Sequence, residues 1–184
     1  MKIFNSITAE VIQLFKNGAV GIIPTDTVYG IVAPLLNEQA VERMYVIKGR
    51  PPHQPIGTIL IADTHQIEEY TNAQDVMKAK AYWPGPTSVI LNVGEELTYA
   101  HRGFASLPFR IPASEQLQRV LLQTGPIATT SANHPGKPPA TVLEEALSMF
   151  RESVDFYVDG GDLSHRKASK IIKIQSDGSI KTIR

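Results

Sequence analysis

The sequence predicts a mixed α/β fold (α+β in its later part), in which a mixed sheet is covered by packed helices. Three observations carry this. Short apolar runs of strand length alternate with helical-period segments through the early chain. Later strand-type runs are joined by an Asp177-Gly178 turn of the kind that closes hairpins. No internal repeat, linker or low-complexity run breaks the 184 residues, so one domain is expected over residues 1–184.

The elements follow in order. Ile7, Val11, Leu14 and Phe15 share one helical face, and Gly18 ends that helix. "AVGIIP" reads as a buried strand. Asn37 caps a second helix with Ala40, Val41, Met44 and Ile47 facing inward. That helix ends near Lys48, because Pro51 and Pro52 cannot continue it. "IGTILIA" is a strand, "AQDVMKAKAYW" a helix closed by "PGP", "TSVILNV" a strand and "SLPFRIP" a short one. Ser114 caps a helix carrying Leu117, Val120 and Leu121. "PIATT" is a strand, and Thr141 with Glu144 forms a capping box for the next helix. "DFYVDGG", "ASKIIKIQ" and "SIKTIR" close the chain as strands.

Composition bounds function. Apolar residues make up 42% and charged residues 20%, as in an ordinary soluble domain. Lys plus Arg and Asp plus Glu are 18 each, which argues against a nucleic-acid binder working by bulk charge but leaves room for a local basic pocket. With no Cys, disulfides, thiolate metal sites and a Cys nucleophile are excluded, and a cytoplasmic location is expected. The first residues are too polar for a signal peptide, and no apolar run has membrane-spanning length, so no membrane contact is expected. The five His lack metal-ligand spacing. A P-loop, a G-x-G-x-x-G turn and a G-x-S-x-G elbow are all absent.

Four polar clusters sit at element ends: "PTDTVYG", "KGRPPHQP", "PFRIP" and "TTSANHPGKPP". Together they hold Lys48, Arg50, Arg110 and Lys137 among hydroxyls and amides, the donor set an anionic ligand needs. Each also has a plain structural reading. Lys-Gly-Arg is a common helix end, Ser-Ala-Asn a common turn, and Trp83-Pro-Gly-Pro a helix-ending corner. Tyr29 reads as core, Asp26 as part of a turn, and Asp159 to Asp162 as a Gly-Gly turn rather than a cation site. The residues alone support an α/β domain with an anion pocket.

Taken in order, "PTDTVYG", "KGRP" with "QPI", "WPGP", "FRIP", "TSAN" with "GKPP", and a late Ser before a closing "IR" resemble the YrdC-like family of threonylcarbamoyl-AMP synthases, over about Ile22 to Arg184. The resemblance implies a strongly twisted mixed sheet with packed helices around a deep basic cavity, the YrdC/RibB-like fold. It implies synthesis of threonylcarbamoyl-adenylate and pyrophosphate from ATP, L-threonine and bicarbonate, with Mg²⁺. Transferase partner proteins would then carry the group to tRNA beside the anticodon. By the same resemblance Thr27, Arg110, Thr129 and Ser169 would meet threonine. Lys48, Arg50, Gln54, Ser131, Asn133 and Arg184 would meet the nucleotide, with Lys48, Arg50, Ser131 and Asn133 acting in catalysis and Mg²⁺ held through the phosphates. Gln54 stands where the family usually has Asn, Ile59 where it often has His, Pro135 where it has Ser, and Lys170 where it has Thr. Two other readings stay open: a non-catalytic module contacting tRNA or double-stranded RNA, and an adenylate-forming enzyme for another amino acid.

Overall fold

Consecutive apolar residues along a strand point to opposite faces of a sheet, and this chain covers both faces in that way. The computed structural model describes residues 1–184. In chain order the elements are β1 (Lys2–Phe4), α1 (Ala9–Lys16), β2 (Gly21–Pro24), β3 (Tyr29–Pro34), α2 (Glu38–Lys48), β4 (Thr58–Leu60), α3 (Ala73–Ala79), β5 (Thr87–Asn92), α4 (Thr98–His101), β6 (Ser106–Arg110), α5 (Glu115–Thr124), β7 (Ile127–Ser131), α6 (Leu143–Phe150), β8 (Phe156–Val158), β9 (Lys170–Ile174) and β10 (Ile180–Thr182). The ten strands form one sheet in the order β1-β8-β2-β3-β7-β4-β6-β5-β9-β10. Parallel pairs (β1 with β8, β8 with β2, β4 with β6, β5 with β9) are mixed with antiparallel ones, so the expected mixed sheet is what forms. None of the helices is long and apolar enough to cross a membrane.

Alternation sorts the side chains into two layers. Ile31, Ala33, Ile59, Leu107, Phe109 and Ala128 belong to the larger core, which also takes in Val41 and Met44 of α2. Val32, Leu60 and Ile127 belong to a second core, with Val11 and Phe15 of α1 and Leu117 and Leu121 of α5. Phe156 joins this second core, its ring edge-on to Phe15 at 5.2 Å between centroids.

Local chemistry sets the element ends. Thr8, Asn37 and Ser114 each accept a backbone N–H at the start of their helices. Gly49 closes α2 in the left-handed region, φ 64°, so the helix stops at Lys48 as the prolines required.

Several expectations are corrected. β1 and β3 were not expected. Three residues at a sheet edge carry little pattern, and Tyr29–Pro34 contains a Gly and ends in Pro, yet it pairs with β2 across a tight turn. The expected hairpin of the last two strands does form, as β9 and β10 at one end of the sheet, while β8 inserts beside β2 at the other. The Thr141–Glu144 capping box does not form: the N-cap of α6 is Val142, which makes no side-chain cap bond, and Glu145 takes up the Thr141 donors instead. The Glu145 carboxylate accepts from the Thr141 N–H at 2.7 Å and from its hydroxyl at 3.1 Å.

Candidate active site

The second face of the sheet is only partly covered by α1 and α5. Along β6, Leu107 and Phe109 enter the larger core, so Ser106, Pro108 and Arg110 must point the other way. These three line a cavity of about 720 Å³. The same parity brings in Gly30 of β3, Thr58 of β4, Ile90 of β5, Thr129 and Ser131 of β7, and Ile171 of β9. The rest of the wall comes from the turn after β2, the chain after α2, the loop after β7 and the segment before β9. Thr27, Lys48, Arg50, Gln54, Arg110, Thr129, Ser131, Asn133, Ser169 and Arg184 all line it, so the structure brings the residues expected to meet threonine and nucleotide to one place. The wall holds four cationic side chains and no Asp or Glu, which makes it the basic cavity that was expected.

Lys48 sits at the end of α2 and is 6% exposed. Its ammonium donates to the carbonyls of Ser131 at 2.6 Å and Asn133 at 2.5 Å and to Asn133 Oδ1 at 2.6 Å. The Ser131 hydroxyl donates to that same Oδ1 at 2.6 Å. Lys48 therefore ties the helix end to the Ser131-Ala132-Asn133 loop. Burial, then the charges of Arg50 and Arg184, pull its pKa down to about 8. Arg50 donates from Nε and Nη2 to the Pro55 carbonyl at 3.0 and 2.6 Å, and burial lowers its pKa too. Gln54 lies exposed at the rim, where its carbonyl accepts from the Tyr45 hydroxyl at 2.7 Å.

Hydroxyls line the other part. Thr25 Oγ1 donates to the Val28 carbonyl at 2.7 Å, so the 2.9 Å contact between the two threonine hydroxyls uses the Thr27 proton. Thr27 is left with lone pairs to offer. Gly30 has room for no side chain, since a Cβ there would stand 2.6 Å from Thr129 Oγ1, and the glycine keeps that hydroxyl in the cavity. Ser169 is linked through Ser88 to Thr58 by contacts of 3.4 and 3.0 Å, and Arg184 reaches Ser169 Oγ at 3.3 Å. Arg110 is 2% exposed and its Nη1 meets Asp26 Oδ1 at 2.6 Å. Its buried Nε has no acceptor.

Other positions fall outside the wall. Ile59 is fully buried in the larger core, because one residue along β4 reverses the face; Thr58 is what the strand presents to the cavity. Lys170 is exposed away from the cavity, and Lys137 does not reach it either. Tyr29 keeps its structural reading: its hydroxyl accepts from the Gly160 N–H at 2.8 Å and donates to the Gly161 carbonyl at 3.0 Å. Asp159 and Asp162 accept backbone N–H groups of their own turns, and no group of three or more His, Asp or Glu stands where it could hold a metal ion. Thr58, Ser88 and Asp26 were missed. Hydroxyls inside the apolar runs "IGTILIA" and "TSVILNV" were the available signal for the first two.

Comparison with known proteins fits this geometry. The family model for Sua5, YciO and YrdC, described as "Telomere recombination", matches residues 13–184. A relative from Methanocaldococcus jannaschii is 35% identical over 164 residues, 88% of this chain and 77% of its own length. The threonylcarbamoyl-AMP synthase of Pyrococcus abyssi is 34% identical over 164 residues, 86% of this chain but 48% of its own length. The crystal structure of P. abyssi Sua5 complexed with L-threonine superposes with a TM-score of 0.86 at 28% identity, covering 100% of this chain and 56% of that one. The chain thus spans about half the length of the P. abyssi protein.

Proposed function

The chain belongs to the Sua5/YciO/YrdC family, and from that premise we propose that it is an L-threonylcarbamoyladenylate synthase. It would convert ATP, L-threonine and bicarbonate into threonylcarbamoyl-AMP, pyrophosphate and water. The observation that carries this is the wall of the cavity: Lys48, Arg50, Arg110 and Arg184 face one space with hydroxyls between them and no Asp or Glu among them. Such a wall suits a polyphosphate together with an amino-acid carboxylate.

The chemistry asks for positioning and charge stabilisation, not for a side-chain nucleophile. The neutral amine of threonine adds CO₂, derived from bicarbonate, and loses a proton to become a carbamate. A carbamate oxygen then attacks the α-phosphorus and pyrophosphate leaves. Charge builds on the phosphoryl oxygens and the leaving group, where Lys48 and Arg50 would stand ready. Arg110 would hold the threonine carboxylate. Thr27, with free lone pairs, would accept from the amine and so orient it. Mg²⁺ would be held through the ATP phosphates beside Ser131 and Asn133, whose carbonyl oxygens already take the Lys48 ammonium. When bound, it supplies further neutralisation of phosphate charge. The product would pass to a transferase acting on tRNA, a setting that fits the cytoplasm.

Pyrophosphate release tests the proposal directly. It is expected to require ATP, L-threonine and bicarbonate together. Purified protein that binds ATP but releases no pyrophosphate with threonine would overturn it, and release with a different amino acid would reassign the substrate.

A further inference from the structure

Asp26 stands behind the cavity wall, not in it. Its Oδ1 accepts from Arg110 Nη1 at 2.6 Å and its Oδ2 from the Ala113 N–H at 2.9 Å. It borders a separate hollow of about 470 Å³ on the far side of the Thr25 turn and is absent from the main cavity's lining. The Arg110 side chain is 2% exposed and that of Asp26 10%. A guanidinium cannot shed its proton, so one this deeply buried needs an anion beside it. Asp26 supplies that anion through one nitrogen only, and Nε remains without an acceptor.

Residue 26 also lies between Thr25 and Thr27, whose hydroxyls are joined at 2.9 Å. One carboxylate therefore fixes three things relative to one another: the guanidinium of Arg110, the Thr27 turn, and the chain leading into α5. Resting on the function proposed above, we infer that Asp26 is a positioning residue for the amino-acid substrate, acting through Arg110 and Thr27 without touching the ligand.

Two physical effects of Asp26 have opposite signs, which makes the role testable. As a counter-ion it reduces the pull of Arg110 on a substrate carboxylate. As a bracket it holds Arg110 in the one orientation that receives it. Asp26→Asn keeps shape and an acceptor but removes the negative charge that faces the Arg110 guanidinium. With the bracket dominant, calorimetry is expected to show threonine binding weakened about tenfold or more and ATP binding kept within about twofold. In steady state the threonine KM rises while kcat changes little. Threonine affinity that is unchanged or tighter would overturn the role, as would equal loss of both ligands. Retained ATP binding certifies the fold of the variant. Should Asp26→Asn fail to fold, Asp26→Glu decides. It keeps the charge and shifts it by one methylene, so threonine affinity is expected to fall with ATP affinity kept, and no change overturns the role. Wild-type protein that binds ATP but not threonine would overturn the function and this role together.

Discussion

At the scale of single residues, the site is governed by cations held in poorly hydrated surroundings. Lys48 must be protonated to bind phosphate, and burial with Arg50 and Arg184 nearby lowers its pKa to about 8. The charged form predominates below that value and is lost as pH rises through it. The kcat/KM for ATP is therefore expected to fall on the alkaline side with an apparent pKa near 8 in the free enzyme. Lys48→Arg should flatten that limb, since a guanidinium stays charged; a limb unmoved by this change would assign the titration elsewhere. Arg110→Ala separates the two substrates. A charge-assisted contact is typically worth about 1.5–3 kcal/mol, so threonine affinity should drop by about one to two decades with ATP affinity mostly kept. Its melting temperature should fall as well, because Asp26 loses its partner. Calorimetry showing equal loss of both ligands would contradict the assignment.

At the scale of elements, strand parity decides what reaches the cavity. β4 gives Thr58 to the cavity and Ile59 to the core, so Ile59 is not a wall residue. Ile59→His would bury a polar ring where Ile59 is fully enclosed. It should cost about 1–3 kcal/mol of stability and should not tighten threonine binding. Urea denaturation with a threonine titration checks both, and a stable, tighter-binding variant would refute the parity assignment. Helix ends act in the same way. α2 stops at Lys48 because Gly49 takes φ 64° with prolines beyond it, which places Lys48 and Arg50 on either side of one turn. That stop was legible in the sequence. The register of β4 was not, since "IGTILIA" is apolar on both faces except for one Thr.

At the scale of the whole molecule, the sheet has one face closed by the larger core and the other shared between the α1–α5 core and the cavity. The ligand would complete that second face. ATP at a hundred times its Kd should stabilise the protein by about 2.7 kcal/mol, or roughly 5–10 °C in Tm for a chain of this size. A thermal melt without and with Mg-ATP measures it, and an unchanged Tm at saturating nucleotide would argue against an ATP site.

The sequence by itself determined the class of fold and most helix boundaries, because caps, prolines and periodicity are local properties of the chain. The convergence of Thr27, Lys48, Arg110, Ser131 and Ser169 on one cavity was expected from resemblance, yet only the tertiary structure produces it. The order of the strands, the faces of β4 and the partner of Arg110 were decided there as well. The reason is physical. Parallel pairs such as β4 with β6 join residues about fifty positions apart, as Ile59 and Phe109 are, and no local pattern records that distance. Asp26 in its turn looks like any turn aspartate until β6 brings Arg110, 84 residues away in sequence, against its carboxylate.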